Sequence, residues 1–136
     1  DKMKSALEKE GAEAVLISTR VGKLKFKEGG EEQIQHTYLT DASVCFDALY
    51  TPDGDSVKTL ADEPDYFQFI NEAFRHCKAI AFAKGAELLL KRSLIDAENM
   101  DKGIILESEH NLVKDFIYIM KAHRIWEREQ SRKVAI

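Results

Sequence analysis

The chain has 136 residues, with 24 acidic and 20 basic side chains and a formal net charge of -4. That length suits one domain with a single sizeable core, and 44% apolar with 32% charged residues is the balance of a globular chain, not a disordered one. No apolar run approaches the roughly 20 residues that cross a bilayer, no signal-peptide pattern opens the chain, and a mildly acidic charge gives no electrostatic reason to seek nucleic acid.

Asp1 to Glu10 has a helical pattern, with Met3, Ala6 and Leu7 on one face and Gly11 placed to end it in a left-handed turn. No capping segment precedes this helix, which suggests that an earlier element lies before Asp1. Ala14-Val15-Leu16-Ile17 is a short continuous apolar run, the mark of a strand covered on both faces. From Gly22 to Lys27, lysines alternate with Leu24 and Phe26. Gly29-Gly30 follows, and then a weaker alternation through Ile34, His36 and Tyr38. This predicts a β-hairpin at the domain edge, with lysines that discourage strand-to-strand association. Asp47 to Thr51 is the next expected buried strand, stopped by the turn residues Pro52-Asp53-Gly54.

Asp62-Glu63-Pro64 is a helix start, with a polar cap and Pro in the first turn. Tyr66, Ile70, Ala73 and Cys77, with Phe69 and Phe74 beside them, extend a helical stripe to Lys78. Ala79 to Phe82 is again a short apolar run, Gly85 introduces a short helix over 86–91, and Ile104 to Leu106 is the last short strand. Leu112, Phe116, Ile119 and His123, with Val113, Ile117 and Met120 beside them, predict a long amphipathic helix reaching Trp126. Strands alternating with helices at this spacing predict an open, mostly parallel sheet between helices. One domain is expected over 1–126, with a tail over 127–136.

The search for chemistry is short. His36, His76, His110 and His123 are isolated, and no Cys-x-x-Cys or His-x-x-x-His spacing suggests a zinc site. Neither a Gly-x-Gly-x-x-Gly nor a Walker-type phosphate loop is present. Cys45 and Cys77 read as small buried side chains of a protein in a reducing compartment, the cytoplasm. The segment from Ala79 to Leu89 runs strand, sharp turn, helix, where enzymes of this architecture often lift a Ser or Cys above the sheet. Here the turn reads Phe82-Ala83-Lys84-Gly85, an elbow with no nucleophile. Ser108-Glu109-His110 are sequence neighbours whose side chains diverge, so they read as a polar approach to the last helix, capped by Ser108 or Asn111.

Three stretches together resemble one family. They are Phe46-Asp47-Ala48-Leu49-Tyr50-Thr51-Pro52-Asp53-Gly54, Ile70 to Ala81 with its Glu72-Ala73-Phe74-Arg75-His76, and Met120 to Arg128 with its His123-Arg124-Ile125-Trp126. In these the chain resembles the domain that follows the haem-binding body of large-subunit haem catalases. The resemblance implies an α/β fold, a flavodoxin-like three-layer sandwich with a mostly parallel sheet and the added hairpin, related to class I glutamine amidotransferases. In catalytic relatives of that fold the elbow cysteine would fall at Ala83. No catalytic, cofactor-binding or metal residue carries over, because the haem of such a catalase belongs to its other domain.

The function so implied is a non-catalytic accessory domain of a peroxide-degrading catalase. Its partners would be the haem-bearing core and sister subunits and, in some members, unfolded client proteins protected in a chaperone-like way; neither nucleic acid nor membrane is expected. An amidotransferase-like hydrolase or glyoxalase is the alternative, opposed by Ala83. A small-molecule binding module with the elbow as pocket floor is a third. The family's first strand should precede Asp1; either Lys133-Val134-Ala135-Ile136, or a second copy of the chain, adds a strand in that position, or the native strand lies upstream and the tail is solvated.

Overall fold

The computed structural model describes residues 2–18, 22–25, 31–34, 36–38, 46–54, 56–96, 100–121, 125 and 128. The chain falls into two compact units, residues 1–42 and 43–136.

The first unit opens with helix α1, Lys2–Lys9. Gly11 ends it at φ 84°, where the Gly11 N–H donates to Glu8 O and the Ala12 N–H to Leu7 O. This pair of bonds is a Schellman closure, and it needs the left-handed residue that the sequence places there. Strand β1, Ile17–Ser18, lies parallel to β4, His36–Thr37. Between them β2, Gly22–Lys25, and β3, Glu31–Ile34, form the expected antiparallel hairpin, with Gly22 opposite Ile34 and Lys25 opposite Glu31. The covered strand expected over Ala14–Ile17 is not seen. Residues 14–18 are only half-buried, and pairing begins at Ile17 because the partner strand is two residues long. Phe26 and Gly29-Gly30 lie outside the described residues.

The second unit is built on three parallel strands in the order β5 (Ala48–Thr51), β6 (Ala79–Phe82), β7 (Ile104–Leu106). Their register sets Thr51 beside Phe82 and Phe82 beside Leu106. All four residues of β6 are buried, so this central strand is covered on both faces. Helix α2, Ser56–Ala61, buries Val57 and Leu60 and had no counterpart in the sequence reading. Helix α3, Pro64–Arg75, starts where Pro64 and the Glu63 cap predict, with the Asp65 N–H donating to Glu63 Oε1 at 3.2 Å. Its buried residues Tyr66, Phe69, Ile70 and Ala73 recur at three and four positions, the period that puts them on one face. Full burial of a side chain such as Phe69 or Ile70 stabilises by about 1.5–3 kcal/mol.

Adjacent strand residues show where the layers are. Tyr50 packs its ring against Phe116 of helix α4, Leu112–Met120, while Thr51 bonds to Tyr66 of α3. Successive residues of a strand point to opposite faces. Helices α3 and α4 therefore cover opposite sides of the sheet, giving the three-layer α/β arrangement.

Two helix ends differ from expectation. The α3 stripe stops at Arg75 instead of Lys78, because Cys77 adopts φ 62°. Its N–H donates to Phe74 O and the Lys78 N–H to Ala73 O, a second Schellman closure, here with cysteine in the left-handed position. Cys77 is thus off the helix, yet only 1% exposed. Helix α4 ends at Met120, short of Trp126, and at Ile125 the chain has left the helical ladder, for the Ile125 N–H donates to Cys77 O at 2.6 Å. His123, Trp126, Cys45 and the 133–136 segment lie outside the described residues.

Candidate functional site

In an open parallel sheet, sites form at the carboxyl ends of the strands. That end is closed here by three short connections. After β5, Pro52-Asp53-Gly54 turns with Gly54 at φ 129° and its N–H on Asp53 Oδ1 at 2.7 Å. After β6, Ala83 is extended and leads into a 3-10 helix, Lys84–Arg92. The strand-to-helix junction expected from the sequence is present at Ala83, but Ala83 keeps an ordinary extended backbone, φ -64° and ψ 157°, in place of a strained elbow, and the helix after it has 3-10 geometry. The Ala83 N–H donates to Thr51 O, and Ala83 is buried at 4% exposure.

Carboxylates lock this end of the sheet reciprocally. Glu107, just past β7, accepts the Lys84 N–H through Oε1 at 2.8 Å. Glu87, on the 3-10 helix, accepts the Ser108 N–H at 3.0 Å and its hydroxyl at 2.7 Å. Each element thus satisfies an open donor of the other. Asp53 presses on the elbow from the third side. A Cβ at Gly85 would run into its carboxylate, so only glycine permits that approach. The Tyr50 phenol, half-buried here, is pushed up in pKa by burial and then by the charges of Glu107 and Asp53.

The sequence candidates do not converge. Ser108 turns to Glu87, whereas His110 Nδ1 pairs with Asp115 Oδ2 at 3.0 Å. Asn111, not Ser108, caps α4, its Oδ1 accepting the Lys114 N–H at 3.3 Å. His36 belongs to β4, and His76 caps α3. Cys77 lies before β6 and Ala83 after it, at opposite ends of the four-residue strand. Among the described residues no three His, Cys, Asp or Glu side chains stand close enough to share a metal ion. Burial pushes the pKa of Tyr66 up to about 12, and that of Tyr50 is raised as well.

Among the described residues, the most heavily engaged polar side chain lies at the opposite end of the sheet, in the stretch assigned to the tail. Arg128 is 1% exposed and forks onto Asp101, Nε to Oδ2 at 2.6 Å and Nη2 to Oδ1 at 3.0 Å. Its Nη1 donates to Phe74 O at 2.9 Å and Lys78 O at 3.0 Å, and the guanidinium stacks 4.4 Å from the Phe74 ring centre. One side chain therefore ties the end of α3, the start of β6 and the approach to β7. The sequence holds one faint signal of it, Ile125 three residues earlier. Glu87 and Glu107 carried none, and Asp53 was legible only as a turn residue.

Comparison with known proteins agrees with this architecture. The model of the C-terminal domain found in long catalases matches residues 1–130. Catalase-B of Dictyostelium discoideum is 31% identical over 129 residues, 93% of this chain and 18% of that protein. A catalase of Alkalihalophilus pseudofirmus is 34% identical over 125 residues, and Catalase C of Rhizobium meliloti 33% over 135. The chain spans about a fifth of the length of these relatives, at 18% to 19%. Among solved structures, a ThiJ/PfpI domain protein of Brachyspira murdochii aligns over 89% of this chain and 87% of its own, at a TM-score of 0.68 and 18% identity. A two-domain protein of Anabaena variabilis, with DJ-1/ThiJ/PfpI-like and ferritin-like domains, aligns over 65% of this chain and 26% of its own. Its TM-score is 0.60 at 26% identity. With matched sequence running through all three strands of the sheet and on to Arg128, this chain belongs to the family of C-terminal domains of long catalases.

Proposed function

We propose that this chain is a non-catalytic accessory domain of a hydrogen peroxide-degrading haem catalase, acting through contacts that stabilise or assemble the cytoplasmic enzyme. The observation that carries this reading is the elbow. Ala83 offers a methyl group where a nucleophile would stand, and the next amide is already taken by Glu107. Haem and the peroxide chemistry belong to the part of the parent outside this chain. Chaperone-like protection of unfolded clients is a second proposed role.

The amidotransferase-like hydrolase or glyoxalase remains the competing class, favoured by the ThiJ/PfpI likeness and opposed by Ala83. Removing this domain from the parent catalase tests the reading. Turnover per haem should be unchanged, while the half-life at elevated temperature should shorten. Loss of turnover per haem in a folded, haem-loaded protein would overturn it. Suppression of aggregation of a heat-unfolded client, measured by light scattering with and without the domain, tests the second role.

A further inference from the structure

Lys84 supplies the amide directly after the elbow residue. In catalytic elbows that amide is a donor to the oxyanion of the tetrahedral intermediate. Here it donates to Glu107 Oε1, and Glu107 is itself held in place, its own N–H bonded to Phe82 O at 3.1 Å. The carboxylate therefore arrives on a fixed backbone, one residue past β7. Asp53 crowds the same turn against Gly85. The titratable groups carried around the elbow are Tyr50 and Asp53 from the β5 side, Lys84 and Glu87 on the 3-10 helix, and Glu107 after β7. Of these, Lys84 is exposed and Glu87 is engaged with Ser108.

We propose that Glu107 is an internal occupant of the elbow's anion position. Its carboxylate fills the donor that an oxyanion or an anionic ligand would use, and its charge disfavours a thiolate at position 83. This deepens the accessory-domain reading and rests on it. The site is closed twice, by the methyl of Ala83 and by the carboxylate of Glu107. Restoring a thiol alone does not restore a reactive centre.

The test is an alkylation series in the intact protein, read with iodoacetamide at neutral pH by peptide mass, so that Cys45 and Cys77 are followed separately. Ala83→Cys alone should react slowly. Adding Glu107→Gln removes the charge while keeping an acceptor, and should raise the rate about tenfold, the effect of lowering a thiol pKa by about one unit. Adding Glu107→Ala removes charge and acceptor together and should raise it further. Glu109→Gln, in the same loop but not bonded to the elbow, should leave it unchanged. Circular dichroism and melting of each variant establish that the fold is retained. Equal rates across the series, or an equal effect of Glu109→Gln, would overturn the proposal. Turnover by the wild-type chain would instead overturn the accessory-domain reading.

Discussion

Thr51 Oγ1 and Tyr66 Oη stand 2.6 Å apart in the buried layer between β5 and α3. The phenol is 3% exposed, and burial outweighs the bond to Thr51 in setting its acidity, pushing it up to about 12. In the unfolded chain the same phenol ionises near 10. Stability contributed by the neutral phenol is therefore complete below pH 10 and is lost as the pH rises towards 12. The loss should reach about 2–3 kcal/mol. Urea unfolding at pH 9 to 12 measures it, and Tyr66→Phe should remove that part of the slope.

Arg128→Ala leaves Asp101 without its guanidinium and removes the donor from the carbonyls of Phe74 and Lys78. Breaking a buried pair on one side destabilises by about 3–5 kcal/mol. Arg128→Lys should recover only part of this, since an ammonium does not reproduce the planar fork. Denaturant midpoints of the two variants give the comparison. Equal stability to the wild type would show that Arg128 is not holding the sheet.

Gly103 lies under the same cluster. A Cβ there would run into Ile125 and the Arg128 guanidinium, with Asp101 Oδ1 at 3.1 Å. Gly103→Ala should destabilise by about 1–3 kcal/mol through overpacking. In the Arg128→Ala background the added penalty should be smaller, a non-additivity that a double-mutant cycle detects.

Cys77 combines a left-handed backbone with nearly complete burial. Cys77→Gly relieves the backbone but removes a buried side chain, and the two effects, each about 1 kcal/mol, should nearly cancel. Cys77→Val places a β-branched residue at positive φ and should lose about 2 kcal/mol or more. Labelling of Cys77 by a thiol reagent should be slow until the protein unfolds. Fast labelling under native conditions would contradict its burial.

The parallel sheet was legible because β6 is an uninterrupted apolar run, and α3 because Pro64 and its three-four stripe mark both start and face. Helix α2 was not, since two apolar residues, Val57 and Leu60, make too short a period to notice. The end of α3 was misplaced because Cys77 is apolar and in helical phase, and nothing about cysteine announces a positive φ. Glycine does, which is why Gly11 was placed correctly. At the elbow, Ala83 was identified because a missing nucleophile is visible as a residue type. Its occupant Glu107 was not, because a contact across 23 positions to a backbone N–H leaves no local pattern. Arg128 was hidden for the same reason, and because charged residues are rarely buried unless paired.

The Arg128 bonds to Phe74 and Lys78 span 54 and 50 positions. A growing polypeptide emerges amino end first, at about 5–20 residues per second. The turn between α3 and β6 is therefore made seconds before its guanidinium partner exists. During that interval the carbonyls of Phe74 and Lys78 lack the guanidinium, although Phe74 O already holds the Cys77 N–H. The seal at the sheet's amino end thus waits on the synthesis of Arg128, and a ribosome stalled before that residue would hold a nascent domain whose central strand is still wet at its root.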